Sequence, residues 1–162
     1  MRHRCPAVVA LVVVAAVLGG CGGDDPAVAP SFGAVEMSTG AEVGPETVRG
    51  VPTLLAAWAT WCPPCERELP ELEAALPRFE AAGVGLVAVN VDAPTVEEDD
   101  VVAMLDRLAP SLDAWRDDDS SILTAFESTF MPFSALIDAE GRVIHTWNGA
   151  VDPDEALELA TG

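Results

Sequence analysis

The sequence predicts an α/β sandwich in which a central mixed β-sheet is flanked by helices. Three observations lead there. Short continuous apolar runs, the pattern of strands buried on both faces, alternate with segments whose apolar residues fall three and four apart, the pattern of amphipathic helices. Half of the 162 residues are hydrophobic, enough for one ordinary core and too few for two. Two further runs joined by Glu140-Gly141 form an antiparallel hairpin, which makes the sheet mixed.

Residues 1–20 stand apart from this pattern. Arg2 and Arg4 precede an unbroken apolar run from Ala7 to Leu18, followed by Gly19, Gly20 and Cys21, the layout of a cleaved secretory signal peptide. A stable membrane span takes about 20 apolar residues, which this run lacks. Residues 21–31 are rich in Gly, Pro and Asp without periodicity and are expected to form a flexible tether reaching roughly 30 Å. The folded domain is expected over 32–162.

Within that domain, Phe32 to Gly50 carries short apolar stretches broken by glycines and is expected to form a small hairpin. Pro52 to Trp58 is a buried strand. Pro63 opens a helix, with Leu69, Leu72, Leu76 and Phe79 on its inner face, kinks at Pro70 and Pro77, and an end at Gly83. Val84 to Val91 is a second buried strand. Thr95 and Glu98 predict a capping box for a helix to Leu108, with Val101, Val102, Leu105 and Leu108 inward. A short strand over Leu112 to Trp115, a helix from Ser120 to Glu127, the hairpin of Phe133 to Ile137 with Val143 to Trp147, and a helix started by Asp152-Pro153 complete the order.

Charge excludes one broad class of function. Lys+Arg number 8 against 27 Asp+Glu, a net charge of −19, and every cationic residue is an arginine. A nucleic-acid binder needs basic patches to displace counterions, and none is present. The acidic runs Glu97-Glu98-Asp99-Asp100 and Asp117-Asp118-Asp119 suit solvated helix starts.

Chemistry concentrates at Trp61-Cys62-Pro63-Pro64-Cys65, where a buried strand meets a helix start. Unpaired N–H groups and the positive dipole end of a helix stabilise a thiolate. Two intervening residues let the two sulfurs meet across one turn, so Cys62 and Cys65 are able to form a redox-active disulfide. Cys62 would be the exposed attacking thiolate and Cys65 the resolving thiol. A static structural disulfide is the plain alternative. A zinc site would need a second ligand pair, and His145 is the only histidine beyond residue 20. No metal or other cofactor is expected.

Trp58-Ala59-Thr60-Trp61-Cys62-Pro63-Pro64-Cys65, followed by Glu68-Leu69-Pro70, resembles the thioredoxin superfamily and, within it, the membrane-tethered TlpA/ResA-type thiol-disulfide oxidoreductases. The resemblance covers Phe32 to the C-terminus and implies a thioredoxin-like sandwich. It implies a cis-proline facing the dithiol, for which Pro132 is the candidate, with the backbone of Met131 pairing to a substrate chain. The alternative for Pro132 is an ordinary strand-entry proline. Glu68 matches a glutamate near the sulfurs that would take the proton of Cys65; its alternative is a solvent-facing residue paired with Arg67. Trp61 would belong to the client surface and Trp58 to the core. The stretch Leu18-Gly19-Gly20-Cys21 resembles the lipobox of bacterial lipoproteins, which implies lipidation of Cys21 and a place on the extracytoplasmic face of a bacterial membrane, in a periplasm or at the cell surface.

The sequence also departs from the pattern. Thioredoxins carry a buried aspartate six residues before the first active cysteine, where this chain has Ala56, and Met131 replaces a threonine or small aliphatic residue. The expected function is thiol-disulfide exchange with protein thiols and disulfides, as a reductant supplied by a membrane electron-transfer partner, with cytochrome c maturation as one setting. An oxidant for secreted proteins uses the same residues. A copper-binding lipoprotein is the rival from another class, and a cysteine spacing of two counts against it. Peroxiredoxins place a threonine three residues before their reactive cysteine, and here that position is Ala59.

Overall fold

The computed structural model describes residues 27–162; the signal peptide expected over 1–20, the expected lipidation site Cys21 and the first part of the expected tether lie outside the described residues. In chain order the elements are β1 (Ala34–Glu36), β2 (Glu42–Val43), β3 (Thr53–Trp58), α1 (Pro63–Ala82), β4 (Gly85–Asn90), α2 (Glu98–Leu108), β5 (Asp113–Arg116), α3 (Ser121–Ala125), β6 (Phe133–Ile137), β7 (Val143–Asn148) and α4 (Pro153–Thr161). One seven-stranded sheet runs β2-β1-β5-β4-β3-β6-β7. The β3–β4 and β4–β5 pairs are parallel and the others antiparallel. This is a thioredoxin-like α/β fold with a central mixed sheet flanked by helices.

The apolar runs occupy the middle of the sheet because both its faces are covered. All six residues of β3 and all five of β6 are buried. Leu54, Leu55, Leu72, Phe79, Leu136 and Ile137 are fully buried. Helix α1 runs unbroken for 20 residues through Pro70 and Pro77, so neither proline interrupts it. Both lie on its exposed side, where the carbonyls they leave unpaired face water. Gly83 ends the helix at φ 70°, a left-handed conformation that glycine adopts without Cβ strain.

Three expectations change. The Thr95–Glu98 capping box does not form: Ala93–Val96 is a turn closed by the Val96 N–H to the Ala93 carbonyl at 2.9 Å, and the helix starts at Glu98 with no side-chain cap. The acidic first turn of Glu98, Asp99 and Asp100 meets the positive end of the helix dipole instead. Only Val101 and Leu105 of that helix are buried, while Val102 is 37% exposed, since neighbours in a helix point 100° apart. The expected tether is docked from Ala27 onward: Val28 bridges Arg142, the Ala29 N–H donates to Gly141, and the Val143 N–H donates to Ala27 at 2.8 Å.

Candidate active site

Strand β3 delivers the chain to the site. After Trp58 the chain turns, with the Cys62 N–H on the Ala59 carbonyl at 3.1 Å. Cys62 has the extended backbone of a helix N-cap (φ −103°, ψ 94°), and its sulfur accepts the Cys65 N–H at 3.2 Å. Pro63 and Pro64 occupy the first two helical positions, where no N–H has an intrahelical partner to lose. Cys62 and Cys65 are joined by a disulfide with Cα atoms 5.3 Å apart. The expectation of an exposed Cys62 is corrected: it is 2% exposed and Cys65 fully buried, because the oxidised sulfurs are folded into the first turn of α1. What faces solvent beside them is Trp61, 63% exposed.

The peptide bond between Met131 and Pro132 is cis. Ala57 of β3 lies opposite Phe133 of β6, so the chain leaving β3 toward Cys62 and the chain entering β6 from Pro132 emerge at the same end of the sheet. The Pro132 carbonyl is taken by the Gly149 N–H at 2.9 Å. Phe130, 58% exposed, adds an apolar side chain just ahead of the cis bond, and sequence patterning had no means to single it out.

Glu68 sits one turn beyond Cys65 and is 3% exposed, so it is not the solvent-facing partner of Arg67. Arg67 instead donates to the Pro63 carbonyl at 3.1 Å. The Glu68 Oε1 accepts the Val151 N–H at 2.7 Å, tying α1 to the loop that leads into α4. Burial raises its pKa from 4.5 to about 7; the Val151 hydrogen bond opposes the rise and the charge of Glu71 adds to it.

Two polar features escaped the sequence reading. Asp92 and Asn90, both fully buried, bond to each other, and Asp92 also accepts from Thr60 in the loop before Cys62. The signal was present, since an acid stands where the apolar run Val84 to Val91 ends. Ser134 Oγ and Trp58 Nε1 are buried without a hydrogen-bond partner among the described residues. Ser134 lies directly across from Ala56, on the same face of the sheet. His145 stands on β7 with its ring 4.6 Å from that of Trp147. Among the described residues no three His, Cys, Asp or Glu side chains are grouped to hold a metal ion, and no helix is long and apolar enough to cross a membrane.

Fold and disulfide together define a thioredoxin-like thiol-disulfide oxidoreductase with a Cys-X-X-Cys redox-active disulfide. By its family model the chain belongs to the AhpC/TSA family, matched over residues 27–160. It is 28% identical to the thiol-disulfide oxidoreductase ResA of Bacillus thuringiensis subsp. konkukian over 130 residues, covering 80% of this chain and 73% of that protein. To ResA of Geobacillus thermodenitrificans it is 31% identical over 107 residues, covering 66% of this chain and 60% of the relative. Among solved structures, a Chlorobium tepidum protein assigned as the thiol:disulfide interchange protein DsbE superposes with a TM-score of 0.70 at 29% identity, over 83% of this chain and 93% of that one. The thioredoxin domain of a Bacteroides vulgatus thiol-disulfide oxidoreductase gives 0.72 at 21% identity, over 85% and 97% of the two chains, a likeness of fold.

Proposed function

We propose that this protein reduces disulfides of protein clients outside the cytoplasm, through Cys62 and Cys65, while held to a membrane by a lipid on Cys21. The observation that carries the exchange chemistry is the disulfide at the N-terminal turn of α1, beside the exposed Trp61 and at the same sheet end as the cis Met131–Pro132 bond. The N-terminal turn favours a thiolate on Cys62, the N-cap. That thiolate attacks a client disulfide and forms a mixed disulfide, expelling a client thiolate. Cys65 then loses its proton to Glu68, attacks Cys62 Sγ and expels the second client sulfur as a thiolate. The buried Glu68, with a pKa near neutrality, suits a base at working pH. Trp61, Phe130 and the backbone at Met131 would receive the client chain, and Pro63 and Pro64 hold the first turn open to it.

Position supports the extracytoplasmic part. The relatives are ResA proteins and the motif resembles tethered members of the superfamily. Val28 pairs at Arg142, at the turn end of the β6–β7 hairpin, whereas the disulfide follows the other end of β3. A strand of six residues spans about 20 Å. With five residues between a lipidated Cys21 and Ala27, the dithiol would face away from the lipid surface, toward soluble clients and a protruding electron donor.

Insulin reduction tests the proposal. Wild-type protein should precipitate insulin in the presence of dithiothreitol, and Cys62→Ser should not; equal rates would remove Cys62 from its role as nucleophile. Metabolic labelling with a radioactive fatty acid tests the anchor, which fails if label persists in Cys21→Ser.

A further inference from the structure

We propose that Asp92 is a positioning residue for Cys62 and a buried anion that weights the Cys62–Cys65 pair toward the disulfide, making it the more reducing. The inference rests on the thiol-disulfide exchange read above and names what sets its direction.

The Asp92 carboxyl is fully buried at the C-terminal end of β4, and every hydrogen bond it receives comes from a neutral donor. Oδ2 accepts the Thr60 N–H at 2.9 Å and the Asn90 Nδ2–H at 2.8 Å. Oδ1 accepts the Thr60 hydroxyl at 3.1 Å. The Asp92 N–H in turn donates to Asn90 Oδ1 at 3.3 Å, which fixes the amide orientation. Both oxygens act as acceptors, the role of an ionised carboxylate. Among the described residues no arginine forms an ion pair with it.

The bonds land where the site is built. Strands β3 and β4 are parallel, with Trp58 opposite Asn90, and the pairing continues through the Val91 N–H to the Trp58 carbonyl at 2.9 Å. Asp92 then grips Thr60 by backbone and side chain, two residues ahead of Cys62. The turn that sets Cys62 as N-cap is therefore pinned from both sides: by Asp92 at Thr60 and by the Cys62 N–H at Ala59.

Placement also decides the electrostatics. Thr60 and Cys62 are two residues apart, so the carboxylate stands on the order of 10 Å from the Cys62 sulfur. At the effective dielectric of a protein site, one unit charge at that distance changes a thiolate's stability roughly tenfold. The disulfide carries no charge, whereas the reduced pair carries a thiolate on Cys62. Asp92 therefore penalises only the reduced form, against the pull of the α1 N-terminus on the same sulfur.

The test is the equilibrium of the protein disulfide with two glutathione thiols, giving the protein dithiol and glutathione disulfide, at about pH 9 so that Cys62 is ionised when reduced. Asp92→Asn keeps the size and removes the charge. It should move the equilibrium roughly tenfold toward the dithiol, a potential higher by about 30 mV. Thr60→Val loosens the same loop and leaves the charge, so it should shift the equilibrium much less. Equal shifts in the two variants, or none in Asp92→Asn, would overturn the inference. Asp92→Ser, neutral and smaller, carries the same expectation where the Asn variant does not fold. Failure of both to fold would assign Asp92 to the fold alone and overturn its role at Cys62. A wild-type protein that does not equilibrate with glutathione would remove the exchange reading itself.

Discussion

Replacing Glu68 by Gln removes a buried titrating carboxyl and keeps an amide oxygen for the Val151 N–H. The size of the effect follows from the shift from 4.5 to about 7. At 1.36 kcal/mol per unit, that is about 3 kcal/mol. Below pH ~4.5 the carboxyl is protonated in both folded and unfolded chains and destabilises nothing. Between there and about 7 the folded chain holds the proton that the unfolded chain has released, so stability falls as pH rises. Above 7 the folded protein carries the buried charge and the full penalty. Urea unfolding of the oxidised wild type and Glu68→Gln, across pH 4.5 to 8, should show the variant gaining about 3 kcal/mol on the wild type. At about 2–4 °C per kcal/mol for a domain of this size, the melting temperatures should diverge by roughly 10 °C. Every other titrating group is common to both proteins and cancels in the difference. A gap constant to within about 0.5 kcal/mol would refute the burial argument. A base near neutrality should also be missed in catalysis, with release of the mixed disulfide slowed about a hundredfold in the same variant.

Further outcomes follow from the same structure. Cys65→Ser should accumulate mixed disulfides between Cys62 and client proteins, visible on non-reducing gels; their absence would count against protein substrates. Gly83→Ala should destabilise the fold by about 1 kcal/mol in urea, since its φ of 70° strains any Cβ even though the space around it is open. Ser134→Ala should leave stability unchanged or raise it by up to about 1 kcal/mol, because the hydroxyl it removes is buried without a partner. A loss beyond about 1 kcal/mol would show that the hydroxyl is in fact bonded.

Apolar periodicity made the strands and helices visible in the sequence because it reports burial, and burial dominates in the middle of this sheet. The dithiol was visible because Cys-Pro-Pro-Cys carries its helix start with it. The cis-proline was visible by resemblance alone, since no local pattern marks the isomer of an X-Pro bond. What stayed hidden depends on long-range partners. Glu68 was singled out by resemblance, but what buries it, its bond to Val151 83 residues on, shows in no local pattern. Asp92 meets Thr60 across 32 residues through strand register. The failed capping box at Thr95 has the opposite cause: the turn closed by Val96 and Ala93 outcompeted a valid local signal.

The described residues contain two cysteines, Cys62 and Cys65, so the disulfide opened in each cycle is the one covalent cross-link of this part of the chain. Closing so short a loop constrains the unfolded chain by about 2 kcal/mol, and the buried strands must hold the fold when it is gone. The cycle of folding and reduction then gives a test of direction that needs no client. The difference in unfolding free energy between oxidised and reduced protein equals the difference in potential between the unfolded and folded pair, about 1.4 kcal/mol for each 30 mV. Two fields act on the folded thiolate. The α1 N-terminus favours it by about 0.3–1 kcal/mol, and a buried carboxylate on the order of 10 Å away opposes it by about 1.5 kcal/mol. The balance favours the disulfide in the folded state. The oxidised protein should therefore unfold at higher urea than the reduced protein, as a reductant requires. The reverse order would make the folded pair more oxidising than its unfolded chain and would turn the proposed reductant into an oxidant.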